Sequence, residues 1–105
     1  GPDPLDEARA QAAAEAQLLR SAGTPTAAQR RIILSDLATR LEAVLRNNEL
    51  HDLITTLKSL DTTPVDDAQL EALWARTLKA LDEFAGTTAP AKAPTRDFWK
   101  RTWSD

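Results

Sequence analysis

Apolar residues recur at three- and four-residue steps from residue 47 to residue 81, and this repeat constrains the fold more than any other feature. The segment predicts two helices, each with five apolar side chains on one face: Leu50, Leu53, Ile54, Leu57 and Leu60, then Leu70, Leu73, Trp74, Leu78 and Leu81. Pro64 separates them because a proline fixes its own φ and disfavours helix at Thr63. Asp66 or Asp67 is expected to cap the second helix. Two short helices joined by a corner form a packing unit.

The rest of the chain carries the same helical bias. Alanine and leucine dominate the apolar residues, and both are strong helix formers, whereas no segment alternates with period two for long enough to indicate a strand. A chain of 105 residues is long enough for one domain with a modest core. We therefore predict an all-α fold, a compact bundle of four to five short helices.

Two further helices are expected before residue 47. The first is capped by Asp3, ends near Gly23, and has a thin apolar stripe that either packs closely across a neighbour or is loosely attached: Leu5, Ala8, Ala12, Ala16 and Leu19. The second runs from a Thr26 cap to about Asn47 and has a wider stripe: Ile33, Leu34, Leu37, Leu41, Val44 and Leu45. On its solvated face, two pairs at i,i+4 spacing are expected, Asp36 with Arg40 and Glu42 with Arg46. Asn47 and Asn48 are expected to close it.

The C-terminal part of the chain differs in composition. Residues 86–94 read GTTAPAKAP, which is typical of a spacer, and residues 95–105 contain Trp99 and Trp103 at a spacing that would place them on one helical face. This last segment either docks on the bundle as a final helix or is a linear motif for another protein. The predicted organisation is thus a lead-in at 1–4, where Gly1-Pro2 is typical of a protease scar, a bundle at 5–85, a spacer at 86–94, and the Trp-containing segment.

Charge and composition argue against several classes of function. The net charge is −3 and the basic residues are scattered, so we expect no direct binding to nucleic acid. No apolar run is long enough to span a bilayer, and we expect no membrane partner. The chain has no cysteine, which fits an intracellular protein.

No catalytic motif is visible, and we expect neither an enzyme nor a bound metal or cofactor. His51 is the only histidine, so a histidine dyad or a His-rich metal site is excluded. A Ser-His-Asp set assembled from Ser35 or Ser59 with His51 and Asp52 lacks the turn that exposes a nucleophile. The three glycines do not form a phosphate-binding loop.

Residues 37–65, LATRLEAVLRNNELHDLITTLKSLDTTPV, together with RDFWKRTW at 96–103, resemble the TFIIS N-terminal domain family, also called the LW domain, to which elongin A and the integrase-binding domain of LEDGF are related. Where that family has an Ile-Gly or Val-Gly pair, this chain has Trp74-Ala75, which implies altered helix packing. The resemblance implies a monomeric, non-catalytic domain that binds disordered linear motifs of transcription-elongation or chromatin-associated proteins, and its expected locations are intracellular and, within the cell, nuclear.

The binding mode that the resemblance implies is an apolar partner side chain in a groove, with basic residues on its rim that select acidic neighbours. The groove residues would be Leu57, Trp74, Leu78 and Trp99. The rim residues would be Lys58, Arg76, Lys79 and Lys100. The alternative interpretation is a self-associating or scaffolding helical domain, because RRIILSDLATRLE also resembles the opening helix of SRA-like helical domains.

Overall fold

The computed structural model describes residues 3–44 and 49–86, and this part of the chain folds into four helices. They are α1 (Pro4–Ser21), α2 (Ala27–Val44), α3 (His51–Lys58), which continues into a 3-10 turn at Ser59–Asp61, and α4 (Asp67–Gly86). The described residues contain no strand. The predicted all-α bundle is therefore confirmed. The Asn47-Asn48 turn, the spacer and the Trp-containing segment lie outside the described residues.

The helix starts follow the capping residues that the sequence predicts. The Oδ1 atom of Asp3 accepts a hydrogen bond from the backbone N–H of Leu5 at 2.8 Å. Thr26 and Gln29 bond each other's backbone N–H groups, at 3.1 and 2.8 Å, and Asp66 and Gln69 do the same at 2.8 Å in both directions. Both are reciprocal capping boxes, which satisfy N–H groups that have no partner within the helix. Of the two aspartates considered for α4, Asp66 is the cap.

The helix ends also have local causes. Gly23, which follows the C-cap residue Ala22 of α1, has φ of +70°, a conformation that costs a side-chain-bearing residue free energy. The corner before α4 holds Pro64, where a helix cannot continue without losing a backbone hydrogen bond. These breaks divide the described chain into separate helices of 8 to 20 residues.

The core is built almost entirely from leucine and alanine. All five stripe residues of α3 and its 3-10 turn are buried, as are Leu34, Leu37 and Leu41 of α2. The alanine stripe of α1 is buried as well, so this helix packs closely, and its most extensive contact is with α4. Small side chains let two helix backbones approach each other. Within the α1 stripe one residue departs from the prediction, because Leu5 in the first turn is 36% exposed.

Helix α2 lies at the centre of the arrangement and contacts α1, α3 and α4. Side-chain bonds join it to the end of α3 and the 3-10 turn: Arg31 donates to the carbonyl oxygen of Leu60, and Lys58 donates to Glu42 at 2.6 Å. The expected pairing of Glu42 with Arg46 involves a residue outside the described part of the chain.

The expected pair between Asp36 and Arg40 is corrected by the structure. Arg40 instead forms a bidentate ion pair with Glu15 of α1, with Nε–Oε2 and Nη2–Oε1 distances of 2.7 and 2.9 Å. The Glu15 side chain is only 1% exposed, so its charge needs a partner more than the solvated Asp36 does. Gln11 donates a third hydrogen bond to this carboxylate at 2.8 Å.

Candidate protein-interaction surface

The predicted groove residues do not share one surface. Leu57 is completely buried and serves as core, so its side chain does not reach a partner. Trp74 and Leu78 are half-buried and lie one turn apart along α4. Trp99 lies outside the described residues. Of the four, only Trp74 and Leu78 are placed together where a ligand has access to them.

The predicted rim residues are also dispersed. Arg76 and Lys79 are exposed, but they lie two and five residues after Trp74, which at 3.6 residues per turn puts them about 200° and 140° around the helix. Lys58 is exposed on α3 and forms an ion pair with Glu42, in which both side chains are more than half exposed. Lys100 lies outside the described residues. The structure therefore assigns no predicted rim cation to the side of α4 that carries Trp74.

A different cation occupies that position. The guanidinium carbon of Arg30, from the second turn of α2, lies 5.9 Å from the centre of a Trp74 ring, within the range of a cation–π interaction. The Nε atom of Arg30 is buried and has no hydrogen-bond partner, and no described acidic residue forms an ion pair with this arginine. We call Arg30, Trp74 and Leu78 the Trp74 edge.

A second surface lies near the end of α4. It is a shallow cavity of about 230 Å³, lined by Glu49, Leu50, Ala80, Glu83 and Phe84. The floor is apolar, because Leu50 and Phe84 are buried core residues, and the two glutamates are exposed. The guanidinium carbon of Arg9 lies 5.8 Å from the Phe84 ring centre. We call this the Phe84 cavity.

A third depression, of about 310 Å³, lies between α2 and the 3-10 turn and includes the exposed Ile32. Two of its polar side chains, Ser35 and Arg31, form hydrogen bonds across the depression. Ser35 donates a hydrogen bond to Asp61 at 2.7 Å, and Arg31 donates to the carbonyl oxygen of Leu60. These bonds connect α2 to the 3-10 turn and give the depression a structural role.

The side chains considered for catalysis have other partners. The Ser35 hydroxyl is bonded to Asp61, and the Ser59 hydroxyl donates to the carbonyl oxygen of Thr56 at 2.6 Å. His51 is the exposed first residue of α3. Within residues 3–44 and 49–86, no three His, Asp or Glu side chains are grouped so that they could hold a metal ion.

The pKa of the buried Glu15 side chain is shifted by its surroundings. Its hydrogen bonds with Arg40 lower the pKa below the ordinary glutamate value, although burial opposes this by raising it. Glu15 therefore remains ionised at neutral pH, and its role is to fix α1 against α2.

Sequence reasoning missed Arg30, Glu49 and Glu83, although one of them left a signal. Arg30 precedes Leu34, Leu37 and Leu41 by four, seven and eleven residues, so it lies on the apolar face of α2. A cation on an apolar stripe is unusual and indicates a specific contact. The glutamates left no signal, because Glu49, in the turn before α3, and Glu83, on α4, meet at one cavity only in the folded chain.

Among the described helices, none is long and apolar enough to cross a membrane. Comparison with known proteins adds no relative: no family model, curated protein sequence or solved structure matches this chain. The resemblance to the TFIIS N-terminal domain family stays a prediction.

Proposed function

We propose that this chain is a non-catalytic protein-interaction domain that binds short disordered motifs at the Trp74 edge. The observation that carries the proposal is the arginine over the half-buried tryptophan, since the Arg30 guanidinium has no acidic partner among the described residues. The three ion pairs of this part of the chain all involve other cations: Arg20, Arg40 and Lys58. A guanidinium held against a ring is oriented to donate hydrogen bonds to a carboxylate from outside.

The chemistry of the edge defines the motif. An aromatic or branched aliphatic side chain of the partner would pack on Trp74 and Leu78, which provide an apolar contact one helical turn long. A neighbouring aspartate or glutamate of the partner would accept hydrogen bonds from the terminal nitrogens of Arg30, because its Nε atom is covered. The motif is therefore an apolar anchor followed or preceded by an acidic residue.

The motif specificity is tested by selecting binders from a random peptide library displayed on phage and measuring their affinity for variants by fluorescence titration. Selected peptides should be enriched in an acidic residue beside an aromatic or aliphatic one. Arg30→Ala should weaken their binding at least about tenfold, which corresponds to about 1.4 kcal/mol. The affinity of Arg30→Lys for these peptides should lie between that of the unmodified chain and that of Arg30→Ala, because lysine keeps the charge and loses the planar stacking group.

Lys79→Ala is the matched control, since Lys79 is an exposed cation on the other side of α4. Its affinity for the selected peptides should equal that of the unmodified chain. Equal losses of peptide affinity in Arg30→Ala and Lys79→Ala would mean that only the net charge of the chain matters, and would contradict binding at the Trp74 edge. A library that yields no enriched peptide would overturn motif binding itself.

The partner class rests on the resemblance alone. It gives transcription-elongation or chromatin-associated proteins as partners, and a nuclear location. Comparing the selected motif with disordered segments of such proteins tests this assignment separately. If the motif is absent from them, the link with transcription is removed and motif binding is unaffected.

Sedimentation tests the alternative scaffolding role, because a motif-binding domain stays monomeric as its concentration rises, whereas a self-associating bundle does not.

A further inference from the structure

We infer that the Phe84 cavity is the docking site of this chain's own segment 95–103, with Trp99 as the residue that enters it. The inference concerns a different surface from the Trp74 edge and does not depend on motif binding there. Three independent properties support it: the size and lining of the cavity, its charge, and the position at which α4 ends.

The cavity has the volume and the floor for one aromatic ring. A cavity of about 150 Å³ lined by apolar side chains holds a benzene molecule, and the Phe84 cavity measures about 230 Å³. Leu50, Ala80 and Phe84 line the cavity and provide its apolar contacts. Segment 95–103 supplies such rings, since it contains Phe98, Trp99 and Trp103.

The charges of the two partners are complementary. Glu49 and Glu83 both line the cavity. The residues around Trp99 read RDFWKR, so three basic side chains, Arg96, Lys100 and Arg101, flank the ring against a single aspartate. A Trp99 ring in the cavity would bring these cations close to the two glutamates. The Trp74 edge has the opposite preference, because Arg30 there favours an acidic ligand.

The connection allows the segment to return to the cavity. Helix α4 ends at Gly86, two and three residues beyond Phe84 and Glu83. Residues 87–94 are eight residues long and span at most about 26–29 Å when extended, which is far enough to bring Trp99 back to the end of α4. A short tether also gives an effective concentration of about millimolar, so a contact too weak for a separate peptide becomes occupied.

The docking is tested in the full chain by paramagnetic broadening. The chain has no cysteine, so a single Lys79→Cys substitution places a spin label one turn before Glu83. The amides of residues 96–103 should be strongly broadened by this label. A label at Ala72→Cys, an exposed position about 16 Å from Glu83 along the axis compared with about 6 Å for position 79, should broaden them much less.

Variants separate docking from mere proximity of a tethered segment. Glu83→Lys and Trp99→Ala should each abolish most of the broadening from the label at position 79. Two matched controls should leave it unchanged: Glu71→Lys, an exposed charge reversal on the same helix, and Trp103→Ala. Equal broadening in Glu83→Lys and Glu71→Lys would overturn the inference, as would no broadening at all in the unmodified chain.

The occupant is identified by mixing. One sample of the chain carries the spin label and no ¹⁵N, and the other carries ¹⁵N and no spin label. When the two are mixed, intramolecular docking predicts no broadening of residues 96–103. Broadening in the mixed sample would show that a second copy occupies the cavity and would overturn the inference. Peptide binding at the Trp74 edge is measured with Arg30 variants, whereas docking in the Phe84 cavity is measured by the broadening of residues 96–103. A negative result in one experiment therefore does not contradict the other proposal.

Discussion

Arg40→Ala is the perturbation whose size is best defined by the structure. It removes both nitrogens that bond Glu15, at 2.7 and 2.9 Å, and leaves a carboxylate whose side chain is 1% exposed. Removing one partner of a fully buried ion pair costs about 3–5 kcal/mol. Arg40 itself is 44% exposed, so water enters where it lay, and Gln11 still donates to Glu15. We therefore expect a loss of about 2–3 kcal/mol at neutral pH.

The pH dependence tests the cause of this loss. In the unmodified chain the pKa of Glu15 is lowered on folding, so its contribution to stability is present above the unfolded pKa, about 4.3, and is lost as the pH falls through the folded pKa. In Arg40→Ala, burial without the cation raises the pKa, and acid neutralises the buried charge. The difference in unfolding free energy between the two chains should therefore shrink from about pH 7 to about pH 3.5.

Urea denaturation of both chains at each pH measures the effect. Arg20→Ala is the matched control, because Arg20 also joins two helices by pairing with Asp82, but both side chains of that pair are nearly half exposed. Its cost should be below about 1 kcal/mol. Glu15→Gln in the Arg40→Ala background should recover part of the stability, since an amide replaces the unpaired charge. Equal losses for Arg40→Ala and Arg20→Ala, or a loss that persists in acid, would refute the reasoning.

Three further substitutions test the fold by chemical denaturation. Leu57→Ala empties a fully buried core position and should cost about 2–5 kcal/mol; a loss below about 1 kcal/mol would contradict its place in the core. Asp66→Ala removes the cap of α4 and should cost about 1 kcal/mol, whereas the neighbouring Asp67→Ala should cost clearly less. Gly23→Ala should lose about 1 kcal/mol through its positive φ alone, because the added Cβ meets no atom within 4 Å; unchanged stability would mean that the turn adopts another conformation.

The parts of the fold that were predicted correctly depend on local chemistry. Helical spacing identified the stripe of α3, and the caps at Asp3, Thr26 and Asp66 follow from side chains that bond backbone groups within three residues. Such interactions are encoded within a few residues of sequence. They fix where helices begin and which face is apolar, and the structure agrees on both.

The contacts between helices were not predictable in the same way. The spacing rule paired Arg40 with Asp36, four residues away, because the sequence does not show that α1 places the buried Glu15 against the same guanidinium. The unusual position of Glu15 is nevertheless visible in the sequence, since it lies among Ala8, Ala12 and Leu19 on the buried face of α1. A charge on an apolar stripe indicates that a partner exists. The partner's identity requires the packing of the helices.

The same distinction explains the outcome for the candidate site. Trp74 and Leu78 belong to an apolar stripe that was found from its spacing. Arg76 and Lys79 were named as rim residues from the binding mode that the resemblance implies, and the helical period places them on other sides of α4 from Trp74. Arg30 was missed because it comes from α2 and reaches Trp74 only through the packing of α2 against α4.

The two proposed surfaces select opposite ligands, and this has a consequence for binding. The Trp74 edge presents Arg30, and the Phe84 cavity presents Glu49 and Glu83. A segment rich in Arg and Lys is repelled by the first and attracted by the second, so segment 95–103 should leave the Trp74 edge open to an acidic motif. Trp99→Ala should then leave the affinity for selected peptides unchanged while it releases the segment. A rise in affinity in that variant would mean that the segment competes at the Trp74 edge, and the division of the two surfaces by charge would be wrong.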